Sequence, residues 1–205
     1  MAIQYSKIPS HWSYFLALED DLLRMSRWIE FSQENEKTYS IELARLLMTA
    51  AAEVDILAKA ICSIICPKDK ASSINEYQAI LCEAAPIIVQ TAVAMPRFGM
   101  SFMPWLNWRE PKSPPDWWTG NNKVKHHRAD HFPEASLKNV LNACAGLLVI
   151  LTIYYGFDQE YLFPAPSCRI PDDCIDSKRY PLFMARAVLK ELIESLQSTQ
   201  GVKPC

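Results

Sequence analysis

Seven apolar residues, Leu43, Leu47, Ala50, Val54, Leu57, Ile61 and Ile64, recur at alternating spacings of four and three. With about 3.6 residues per turn, that rhythm lines one side of a long α-helix, whereas a half-buried strand alternates every second residue. A helix bearing such a stripe has to be covered by further helices or by a sheet. Nothing in the chain reads as a parallel sheet, and no internal repeat or low-complexity tract is present.

The remaining segments supply helices. Residues 12–34 are amphipathic, and Ser73-Ile-Asn-Glu76 has the spacing of a capping box that opens a third helix toward Met95, with its stop near Pro96. Between Arg97 and Asp116 the prolines of RFGMSFMPWLNWREPKSPPD deny continuous helix, and Asp116 is placed to cap a new one carrying WWTGNNKVKHHR. Pro133 and Glu134 suit a first turn, after which Leu137, Val140, Leu141, Cys144, Leu147, Leu148 and Leu151 give a wide apolar face that belongs at the centre of a core. Residues 157–180 are Pro- and Asp-rich and irregular, with room for a short hairpin; Leu182, Phe183, Arg186, Leu189, Leu192, Ile193 and Leu196 mark a last helix over 181–197. The expected fold is all-α: a single domain over 1–205, built as a largely antiparallel bundle of about five helices, with a Pro/Trp-rich loop before the fourth.

Half of the residues are apolar and the net charge is −2 with a pI near 6.1, so the chain cannot coat nucleic acid over its whole surface; any anion-binding patch has to be local. The first residues lack a basic region followed by an apolar one, and the uncharged run Ala143–Phe157 is shorter than the roughly 20 residues of a membrane span; a cytoplasmic location is expected. The seven cysteines include no C-x-x-C pair, and most are expected to be reduced core residues. Phosphate-binding glycine loops and H-E-x-x-H are absent, and the adjacent His126-His127 pair cannot readily aim both rings at one ion from a regular helix. No metal and no cofactor is expected.

The local basic patch is NNKVKHHRADHF, residues 121–132, which holds three of the four histidines. Together with IELARLLMTAAAEVDILAKAIC and FPEASLKNVLNACAGLLVIL, it resembles a HEPN-type helical domain, the fold of many prokaryotic defence ribonucleases and toxins. The likeness covers about residues 12–155, and its specific part is Asn-x-x-Lys-His-x-Arg, Asn122 to Arg128. Catalytic members resemble one another in an Arg followed by four residues and a His. On this chain His126 matches the histidine, Asn121 stands where the arginine would be, and Arg128 stands where a tyrosine sometimes follows. A second frame takes His127 with Asn122 and also lacks the arginine.

The resemblance implies metal-independent RNA cleavage in a toxin or antiphage setting, with a homodimeric site and an antitoxin or defence-complex partner. His126 would assist attack by the ribose 2′-OH, since an ordinary imidazole titrates near working pH. Arg128 would stabilise the phosphate through its planar fork, Asn121 or Asn122 would contact phosphate or ribose, and Lys123, Lys125 and His127 would bind the backbone. His126 and Arg128 are two residues apart and diverge by about 200° on a regular helix, so they converge only if the helix ends there or if two protomers each supply one. The alternative is a non-catalytic module that binds RNA, a nucleotide or a protein through the same patch.

Plainer readings stand beside these. Cations in a last helical turn answer the negative end of the dipole, and His131 and His11 default to structural roles. Asp55 either pairs with Lys59 four residues on or, like Glu53, reaches across to orient His126 or Arg128. Trp105, Trp108, Trp117 and Trp118 are either a core plug, the favoured reading, or rings on which bases stack.

Overall fold

The computed structural model describes residues 10–68 and 70–157, and the short strand Met184–Ala185. The described residues form the helical bundle that the sequence predicts, with helices α1 (Ser10–Met25), α2 (Ile41–Ile65), α3 (Ile74–Ala84), α4 (Asp116–His131) and α5 (Leu137–Phe157). Ser40 opens α2 by accepting a hydrogen bond from the Leu43 amide at 3.1 Å, and the stripe from Leu43 to Ile61 is buried; Ile64 is exposed. The α3 capping box forms as the sequence suggests, with the Glu76 carboxylate accepting from the Ser73 and Ser72 amides.

α2 and α5 are the central pair, and they run in the same direction. The Leu137 amide donates to the Thr38 carbonyl at 2.8 Å, so both helices start side by side. α1 lies antiparallel to them: Asp21 near its end meets Arg45 early in α2, whereas His11 and Trp12 near its start meet Glu53 and Tyr155 farther along α2 and α5. The outer helix α1 is therefore antiparallel to a parallel central pair. α5 is the one described helix long and apolar enough to cross a membrane by length and composition, and 83% of that apolar window is buried inside the bundle.

Several boundaries differ from the sequence reading. α1 ends at Met25 rather than near residue 34: the Ser26 hydroxyl donates to the Leu23 carbonyl, and the chain turns in to bury Phe31 against Phe98. α3 stops at Ala84 because Pro86 has no amide to donate and pushes Ala85 out of helical backbone (φ −140°, ψ 70°). Val93 to Met95 then belong to strand β1 rather than to a helix; it pairs antiparallel with β2 (Met100–Phe102) across Gly99, whose φ of 62° suits a residue without a Cβ. β3 (Met184–Ala185) pairs with the other edge of β1, where the sequence had pointed to the last helix; the rest of 158–205 lies outside the described residues. Asp116 is the first residue of α4, after the cap Pro115, and accepts a hydrogen bond from Asn107. Pro133 and Glu134 form a separate 3-10 turn, Phe132–Glu134, before α5.

The Pro/Trp-rich loop is a core plug. Trp105, Trp108 and Trp117 are buried, with Trp105 tilted against Trp108 and edge-on to Trp117, and the Trp105 and Trp117 indoles donate to the Gly146 and Pro104 carbonyls. Gln78, itself buried, fastens the loop to α3 by donating to the Trp108 and Glu110 carbonyls and accepting from the Lys112 amide. Gly146 lets α5 approach this plug, since a Cβ there would meet the Trp117 ring at 3.0 Å.

Candidate nucleic-acid interface

The buried face of α4, Trp117, Gly120, Asn121 and Val124, follows the helical repeat and turns the opposite face outward. Asn122, Lys125, His126, His127 and Arg128 are all exposed. The helix is interrupted at His127, whose backbone leaves the helical region (φ −139°, ψ 49°), so the regular-helix angle between His126 and Arg128 no longer applies. The interruption does not bring the two together: His126 lines a groove on the α3 side, whereas Arg128 reaches across to α2, its guanidinium 3.5 Å from the Met48 sulfur.

The groove is open, with a volume of about 350 Å³. Ile74, Pro114 and Trp118 make its apolar wall, and Thr119, Asn122 and the two adjacent histidines give it a polar rim. Trp118 is the half-buried exception among the four tryptophans; it is held edge-on to Trp117 at 5.7 Å and lines the groove with the rest of its surface. Lys123 is also in the groove, but its ammonium is bound to Glu134 at 2.6 Å. Among the described residues Lys125 and His126 make no hydrogen bond or ion pair, and the His127 ring lies edge-on to the His131 ring, 6.4 Å between centroids.

Asn121 is not part of this surface. It is 7% exposed, and its carbonyl oxygen has no hydrogen-bond partner among the described residues. The position that the resemblance gives to an arginine is thus turned into the bundle.

The two acidic candidates are also engaged elsewhere. Asp55 is ion-paired with Lys59 and accepts from the Tyr77 hydroxyl at 2.9 Å; burial and that bond together raise the Tyr77 pKa. Glu53 is buried, and its carboxylate lies 2.5 Å from Nδ1 of His11, whose ring rests edge-on against Tyr154. Neither orients His126 or Arg128. The His11–Glu53 pair was invisible in the sequence because its members are 42 residues apart and only the α1–α2 packing joins them.

The four described cysteines are free; Cys62, Cys66 and Cys144 are buried and Cys82 is partly so. Burial pushes the Cys62 and Cys144 thiols up to about 12 and Cys82 up to about 11, which leaves them neutral and poorly nucleophilic. Among the described residues no three His, Cys, Asp or Glu side chains cluster as a metal site would need.

Compared with protein-family models, curated proteins and solved structures, the chain finds no match in any of the three.

Proposed function

We propose that the protein binds RNA through the broken end of α4, with Lys125 and Arg128 meeting phosphates and Asn122, His126 and His127 the ribose-phosphate edge. The observation that carries this reading is the group of exposed, mostly uncommitted donors, Asn122, Lys125, His126 and His127, gathered on one short stretch of an otherwise slightly acidic chain. Cationic and polar donors converging beside a groove favour a polyanion, and one with hydroxyl and phosphate oxygens to receive them. The geometry favours binding over cleavage within one chain, because Asn121 is buried and Arg128 lies against Met48 rather than beside His126. Affinity for a labelled RNA should fall with salt, and Lys125→Ala should weaken it and reduce the slope of log affinity against log salt by about 0.7 if one single-strand phosphate contact is lost. Affinity indifferent to salt and to Lys125→Ala would refute the reading.

Cleavage is the second reading, favoured by the unpartnered imidazole of His126 next to a backbone break. There His126 takes the proton of the attacking 2′-OH as the 2′-O–P bond forms and the P–O5′ bond breaks, water protonates the departing 5′-oxygen, and Arg128 from a second protomer meets the phosphate, in the homodimeric toxin or defence role that the HEPN-like resemblance implies. Incubation with total RNA in EDTA tests it: products with 2′,3′-cyclic phosphate ends from the parent, and none from His126→Ala, support it, while equal cleavage by both removes His126 from the chemistry.

A further inference from the structure

We infer that the groove beside α4 is a subsite for one unpaired nucleobase, stacked on Trp118 with Thr119 and Asn122 at its polar edge. The inference rests on the RNA reading above and adds what the groove itself recognises.

Three observations converge on it. The first is the contrast among the tryptophans. Trp105, Trp108 and Trp117 are consumed by the core, two of them with their indole N–H groups bonded to carbonyls, whereas Trp118 lines an open groove. Its contact with the buried Trp117 ring fixes its orientation, so a flat ligand would meet a prepared surface with little ordering cost.

The second is composition. An apolar wall of Trp118, Pro114 and Ile74 suits the face of a ring; a fully polar ligand would leave that wall unmatched, and an aliphatic one would leave the polar rim unmatched. Asn122 offers both a donor and an acceptor, as the edge of a base requires, and the Thr119 hydroxyl does the same.

The third is size and charge. A volume of about 350 Å³ lies at the lower end of the roughly 300–1,000 Å³ of small-ligand clefts, which is room for one base and its sugar. His126 and His127 stand at the same groove, with the exposed Lys125 beside them in sequence, so a base seated on Trp118 carries its phosphate toward imidazole donors and the ammonium of Lys125. A paired base inside a duplex cannot present its face to Trp118, so the subsite selects a base that is already unpaired or has been drawn out of its stack.

The test compares a labelled single-stranded RNA of mixed sequence with an abasic strand of equal length, using fluorescence anisotropy on the full chain. The parent should bind the base-bearing strand more tightly, and Trp118→Ala should remove about 5- to 100-fold of that affinity while leaving abasic binding unchanged. Trp118→Phe, which keeps a ring, should retain most of the preference. Equal binding of both strands by the parent, which needs no variant to interpret, would overturn the subsite while leaving the RNA reading in place. A Trp118→Ala loss that is the same for both strands would also overturn it. Failure to bind either strand would remove the RNA reading and this inference together.

Discussion

Replacing Gly120 with alanine tests how the α4–α5 corner is held. In an unobstructed helix interior the change gains about 0.5–1 kcal/mol, because glycine loses more backbone freedom on folding. Here the new Cβ would lie 2.5 Å from Nδ2 of Asn139 and 3.3 Å from its Cγ. That amide is buried and donates to the Glu134 carbonyl at 2.8 Å, so it cannot swing away without breaking the bond. Losing a buried hydrogen bond costs about 1–3 kcal/mol, and overpacking adds about 1–3 kcal/mol. After subtraction of the helix gain, Gly120→Ala should destabilise by about 1–5 kcal/mol. Urea unfolding followed by circular dichroism measures this as a lower midpoint at unchanged slope. The double variant Gly120→Ala/Asn139→Ala should lose less than the two single losses added together, because removing the amide makes room for the methyl. A Gly120→Ala variant as stable as the parent or more stable would refute the reasoning.

Other perturbations follow from the same contacts. His11→Ala leaves the buried Glu53 carboxylate without its partner and should cost about 1.5–3 kcal/mol in urea unfolding, with RNA affinity unchanged because the pair is remote from α4 in contacts. Asn121→Arg, which restores the residue type that the HEPN-like motif would place there, puts a charge where only 7% of the residue is exposed; thermal unfolding should show a loss of about 3–5 kcal/mol and cleavage assays no gain. Cys62 and Cys144 should resist a thiol reagent at pH 8 until urea unfolds the chain. Because their folded pKa values, about 12, lie above the ordinary 9, the unfolded state loses these protons first; stability should decline as pH rises from about 9 toward 12, and flat stability across that window would count against their burial.

The helical repeat was enough to place α2 and α5, because a buried stripe leaves its period in the sequence whatever covers it. The capping box of α3 was equally local, written by Ser73 and Glu76 alone. The end of α3 was misplaced: the sequence reading carried the helix to Met95 although Pro86 is a breaker in plain view, because the apolar run beyond it disguised the stop at Ala84. The β1–β2 hairpin was harder: its strands are three residues each, too short for alternation to register, and only Gly99 marks the turn. The parallel course of α2 and α5 depends on the Leu137–Thr38 bond across the bundle, for which no residue carries a local sign.

At the site, the basic segment stood out by composition, but its sorting did not. Which of Asn121 and Asn122 faces outward is decided by the phase of α4 against α5, fixed in turn by the tight approach at Gly120. The interruption at His127 has no proline or glycine to announce it. The Asp55–Lys59 pair was legible from its spacing of four, whereas the partners His11 of Glu53 and Tyr77 of Asp55 are long-range and spacing along one helix cannot reveal them.

The central claim is that the broken end of α4 is where RNA is bound. Ultraviolet crosslinking of the full chain to a labelled single-stranded RNA, followed by digestion and mass mapping of the crosslinked peptide, tests it most directly. Crosslinks are expected within residues 115–132, on Trp118 and on His126 and His127. Crosslinks confined to other segments, or none at protein and RNA concentrations in the micromolar range, would contradict it.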